Sequence, residues 1–137
     1  MPVTTNAFIS PQAIKTGTAV LTTASTDIDD APTTSVLLVT AGADGARLTK
    51  VTAIPRATVA ASMIQLYLSK DAGVTQRLIE TVLVAAHSVS NSTKIPTADF
   101  GFSDLAPLML EAGDRLYVAT SVALAGGIVV RAEWADY

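Results

Sequence analysis

Two neighbouring runs, within residues 115–135, constrain this chain more than anything else in it. Leu116, Val118, Thr120, Val122 and Leu124 alternate with Tyr117, Ala119, Ser121 and Ala123. After Ala125-Gly126-Gly127, Ile128, Val130, Ala132 and Trp134 alternate with Val129, Arg131, Glu133 and Ala135. Only an extended strand turns successive side chains to opposite faces, so both runs read as strands. The glycine turn between them predicts a hairpin over 115–134. Its Leu116, Val118, Val122 face and its Ile128, Val130, Trp134 face are expected to be buried.

Composition leans the same way. The 137 residues include 23 alanines, 18 threonines and 14 valines, and aromatics are only 5%. Thr and Val are stiff at Cβ and suit a pleated surface, while Ala fits close contacts between layers or subunits. Half the residues are hydrophobic, 15% are charged and mean hydropathy is +0.44, which excludes an intrinsically disordered chain. The length favours one domain.

Further strands are expected along the chain. Residues 12–23 alternate loosely, with Gly17 read as a bulge or bend. The polar stretch 24–34 reads as a loop. The apolar run 35–39, Ser-Val-Leu-Leu-Val, predicts a strand buried on both faces. Residues 41–45 read as a turn whose Asp44-Gly45 pair is a hairpin signal, before a strand from Arg47 to Ile54. Residues 62–69 alternate and turn at Asp71-Ala72-Gly73. Beyond that turn two readings compete: Leu78, Ile79, Val82, Leu83 and Ala86 fit a helical stripe over 75–86, whereas strand propensity favours a hairpin of 62–69 with 76–85. Residues 88–107 are loop with Phe100-Gly101-Phe102 as a packing plug, and Leu108–Leu110 is a short strand. About eight strands with turns every 8–15 residues predict an all-β, single-domain, jelly-roll-like β-sandwich over 12–137.

Charge and residue inventory exclude several classes of function. The nine Lys and Arg are scattered, the net charge is −3 and the sequence pI is about 4.9. No basic cluster marks a nucleic-acid or anionic-membrane surface, so neither partner is expected. Residues 1–10 lack the pattern of a secretory signal, and no run approaches the length of a membrane span.

Chemistry is sparse too. With no cysteine and a single histidine, His87, neither a His/Cys metal site nor a Ser-His-Asp triad is supported, and no phosphate loop is present. Asp27, Asp29 and Asp30 share one loop and are hard oxygen ligands of the kind Ca²⁺ takes, but the glycine and distal Glu of an EF-hand are missing. A solvated acidic loop is the plainer reading. Catalytic, metal and cofactor residues are therefore expected to be none.

The N-terminal residues 1–11 read as an extended arm. They carry no charged side chain, and their large apolar anchors are Phe8 and Ile9. Eleven extended residues span about 35 Å, enough to reach a neighbouring subunit by strand addition. Trp134 and Tyr137 are the aromatic candidates for interface anchors, beside core packing for Trp134.

Three pieces of the chain, 9–24 (ISPQAIKTGTAVLTTA), 66–80 (LYLSKDAGVTQRLIE) and 107–137 (PLMLEAGDRLYVATSVALAGGIVVRAEWADY), resemble a family of small tailed-phage and prophage head proteins. The resemblance implies a non-enzymatic virion protein, a capsid decoration (cement) protein. It further implies a homotrimer bound to the major capsid protein on the head surface, made in the bacterial host cytoplasm. A receptor- or carbohydrate-binding module of a phage spike or tail fibre is the competing expectation.

Overall fold

A computed structural model describes residues 10–137. Nine strands and no helix make up this part of the chain: β1 (Ala13–Leu21), β2 (Val36–Thr40), β3 (Ala46–Pro55), β4 (Ser62–Ser69), β5 (Arg77–Val84), β6 (Ala98–Asp99), β7 (Leu108–Leu110), β8 (Arg115–Thr120) and β9 (Ile128–Asp136). They form two antiparallel sheets. The first runs β1-β9-β3, with β6 and β7 sharing the far side of β3, and the second runs β2-β8-β4-β5. This is the strand order of a jelly roll whose eighth position is split between two short strands.

Inward residues of both sheets supply the core. Leu48, Val51, Ala53, Ile128, Val130 and Ala132 from the first sheet meet Ile64, Leu66, Leu116 and Val118 from the second, all at 0% exposure. Phe100 closes the core from the 99–107 loop, as the plug reading expects, and Phe102 packs against it. The predicted faces of the 115–134 region behave accordingly, except that Val122 is only half-buried.

The hairpin over 115–134 does not form. β8 joins the second sheet and β9 the first, so the strands are real but not partners. Residues 121–127 instead arch from one sheet to the other, pinned by Leu124 N–H to Thr22 O at 3.1 Å and Arg56 N–H to Gly127 O at 3.0 Å. A period of two tells a strand which side to bury. It carries no information about which strand lies alongside.

The same crossing corrects the Asp44-Gly45 signal. The turn exists, with Gly45 at φ +89° and its N–H bonded to Gly42 O at 3.2 Å. It nevertheless carries the chain from β2 in one sheet to β3 in the other.

Three further expectations change. β2 is an edge strand rather than one buried on both faces, so Val36 and Leu37 stay 38% and 43% exposed. Gly17 makes no bulge, since β1 pairs with β9 in unbroken register from Ala13↔Asp136 to Leu21↔Ile128. It is glycine for lack of room: a Cβ there would lie 2.9 Å from both the Trp134 ring and the Leu38 carbonyl oxygen. The 75–86 alternatives resolve to strand, as β5 pairs with β4 from Ser62↔Val84 to Leu68↔Arg77.

Candidate functional site

The residues with chemical potential are dispersed, and local structure explains each. Asp27, Asp29 and Asp30 turn to different internal partners. The Asp27 carboxylate accepts from the Thr33 hydroxyl, and Asp29 Oδ1 accepts from Ala31 N–H at 3.2 Å. Asp30 pairs with Arg77 at 3.2 Å. Among the described residues no group of three acids or histidines converges to hold a metal ion. His87 is held by a two-way bridge to Val59, with N···O distances of 2.9 and 3.0 Å. Its Nε2 is buried without a hydrogen-bond partner among the described residues. It borders a depression of about 140 Å³ walled by Pro55, Leu83 and Pro96.

Trp134 lies in the core and is 9% exposed, with its ring over Gly17. One edge of it borders a depression of about 340 Å³ that includes Lys15, Arg47, Asp104 and Glu133. Tyr137, half-buried, continues past β9 and donates its N–H to Gly45 O at 3.2 Å. Phe8 and Ile9 lie outside the described residues. Ser10 and Pro11 are exposed, and Gln12 is tied to β9 by its N–H to Asp136 O at 2.7 Å.

What distinguishes the molecule is its surface. On the second sheet, Gln65, Tyr67 and Ala119 point away from the core yet are 1%, 0% and 0% exposed. Two loops cover them. The 22–35 loop crosses Tyr67, whose hydroxyl donates to Asp27 O at 3.2 Å, and reaches Gln76 N–H through Asp30 O at 2.8 Å. From the other side comes the 70–76 turn, built on Ser69 and Asp71. Ser69 Oγ accepts Gly73 N–H at 2.8 Å, and Asp71 Oδ1 accepts Thr75 N–H at 2.8 Å, which holds the Asp71 carboxyl below its ordinary range. Gly73, at φ +96°, sits against the Tyr117 hydroxyl, where a side chain has no room. Ser35 Oγ joins the two loops by donating to Gln76 Oε1 at 2.7 Å. Burial, then the Asp29 and Asp27 carboxylates, push the Tyr67 phenol above its ordinary 10.0.

The outward face of the first sheet is far less covered by the described residues: Thr52 is buried, but Thr16, Thr18 and Val20 are exposed. Pairing aligns Ile14 with Ala135 and Arg47, Thr16 with Glu133, Thr18 with Arg131 and Thr52, and Val20 with Val129 and Ile54. Ile14 is 92% exposed. Met109 on β7 and Leu105 in the adjoining loop are exposed as well.

A second open feature is β5. It pairs only with β4 among the described residues, and it leaves Leu78, Ile79 and Leu83 exposed. Alternation could not find the covered face, because the cover comes from loops distant in sequence. The β5 edge does carry a signal in the run Thr-Val-Leu-Val, with Glu80 and a break in register beside it as its only guards among the described residues.

No family model matches the chain. No curated protein matches it either. Among solved structures, Eiger TNF from S. frugiperda superposes with a TM-score of 0.46 at 11% identity, over 92% of this chain and 96% of that chain.

Proposed function

We propose that this chain is a structural subunit that works by surface contact rather than catalysis: a decoration protein of a tailed-phage head, assembled as a homotrimer on the major capsid protein. The observation that carries the reading is the open face of β1-β9-β3 together with the β5 edge, which is unpaired among the described residues. A small sandwich that leaves Ile14, Leu83, Leu105 and Met109 in water has surface suited to partners. Threonines between the apolar ends of the open face keep a lone copy soluble, and contact of this kind needs area and shape more than reactive groups. The resemblance of 9–24, 66–80 and 107–137 to phage head proteins supplies the shell as the partner. The chain would then be made in the host cytoplasm and reside on the virion surface.

One observation favours the spike or tail-fibre reading. The depression beside Trp134 combines an indole edge with Asp104 and Glu133, groups that bind sugars. Trp134 offers little ring face there, since it is nine-tenths buried, so this reading ranks second.

Mass spectrometry of purified virions, with copy numbers, tests both. Copies comparable to the major capsid protein are expected. A handful per particle would favour the spike, and absence from the virion would overturn both.

A further inference from the structure

Among the described residues β5 is the longer edge strand of the second sheet. Its own Glu80 Oε1 accepts the Thr81 N–H at 3.0 Å, and its exposed Leu78, Ile79 and Leu83 call for an occupant that brings no unpaired charge against them. We propose that residues 2–9 of a neighbouring copy add to β5 as an extra strand. This deepens the self-assembly part of the function proposed above, without depending on a phage shell.

Three observations carry it. Residues 2–9 have no charged side chain, and Val3, Thr4, Thr5, Phe8 and Ile9 are strand formers. Proline occurs among them only at position 2, so residues 3–9 all have an N–H to offer a ladder. Eight residues match the eight of β5.

Geometry makes the exchange intermolecular. The segment is tethered at Ser10, next to β1, and β1 lies beside β2 on one flank of the sandwich, whereas β5 lies beside β6 on the other. Crossing the first sheet from β1 to β6 takes about 14 Å at the usual strand spacing, and lying along all of β5 takes about 26 Å. Residues 2–9 extend to about 30 Å at most. They cannot cross and also pair along the whole of β5 on their own copy. A neighbour whose β5 flank abuts this copy's β1 flank needs no crossing. Donor and acceptor then sit on opposite flanks, so each copy gives to the next, the head-to-tail arrangement that closes into rings.

The chain lacks cysteine, which allows a clean cross-linking test. Ala7→Cys and Thr81→Cys variants of the full chain are purified separately, mixed and oxidised mildly. A disulfide-linked pair containing one of each is expected. No mixed pair would overturn the proposal. So would Thr81→Cys linking to itself as readily as to Ala7→Cys, which would make a second β5 the occupant. So would linkage confined within single chains of the double variant.

Amide hydrogen exchange gives an independent reading. Deleting residues 2–9 is expected to speed exchange at least about tenfold at the β5 amides turned away from β4, while amides of β8 stay protected. Unchanged β5 exchange overturns the proposal. Neither readout involves virions, so the failure of one reading does not imply failure of the other.

Discussion

The two sheets of this sandwich present opposite outward faces. The second buries a tyrosine and a glutamine beneath two of its own loops; the first leaves threonines, Ile14 and Val20 in water. Both faces alternate in the same way along their strands. What separates them is a pair of polar loops whose backbone groups need partners, and Tyr67, Ser69 and Asp71 supply those partners. Covering a face therefore depends on loop chemistry more than on the strands beneath. Among the described residues, no such pair of loops crosses the β1 side of the first sheet.

The sharpest way to break that contrast is to empty the covered side. Tyr67→Ala removes a fully buried ring and the hydroxyl bond to Asp27 O, and is expected to lower unfolding stability by about 3–5 kcal/mol in urea denaturation. A loss below 1 kcal/mol would mean the loops are loosely laid rather than packed.

Gly17→Val probes the interior between the faces. A side chain there collides with Trp134 and the Leu38 carbonyl, and a cost of about 1–3 kcal/mol is expected from the same titration.

The covered face also predicts a pH response. Because burial and the two aspartates raise the Tyr67 pKa, the unfolded chain ionises this phenol near pH 10 while the folded one does not. Its contribution to stability is thus complete below pH 10 and is lost as pH rises beyond it towards the folded value. Melting temperatures measured from pH 8 to 11 should fall more for the wild type than for Tyr67→Phe. Parallel curves would refute the assignment.

The smallest effect belongs to the open side. Thr18→Lys should change the stability of the isolated protein by no more than about 0.5 kcal/mol. If the open face is a contact surface, the same variant should shift light scattering towards smaller species. Unaltered association would move the interface elsewhere.

Much of the fold was legible because period two and turn residues act locally. The strands at 47–54, 62–69 and 108–110, the β4–β5 pairing and the Phe100 plug follow from neighbours in sequence. Pairing between distant strands was not legible. β8 and β9 look like a hairpin because seven residues with two glycines join them, yet those residues bridge a roughly 10 Å gap between sheets instead of reversing within one. Gly17 looked like a bend because its reason for being glycine, the Trp134 ring, lies more than a hundred residues away. At the candidate surface, one histidine and no cysteine gave the sequence no reactive cluster to point to. The cover over Tyr67 was invisible, since nothing near Tyr67 in the chain points to Asp27.

The position of β9 has a consequence for how the molecule is made. It lies between β1 and β3, pairing Ala13 with Asp136, so the first sheet has no centre until residue 136 has been synthesised. A chain emerging from the ribosome holds β1 and β3 with bare edges through most of its translation. Such nonlocal pairing folds on the millisecond-to-second scale, and the half-made product exposes strand edges prone to aggregation. Lys15, Thr16 and Thr18 on β1 temper the stickiness of Ile14 and Val20 on those waiting edges, and slowing elongation after residue 55 should raise the aggregated fraction more than slowing it before residue 13.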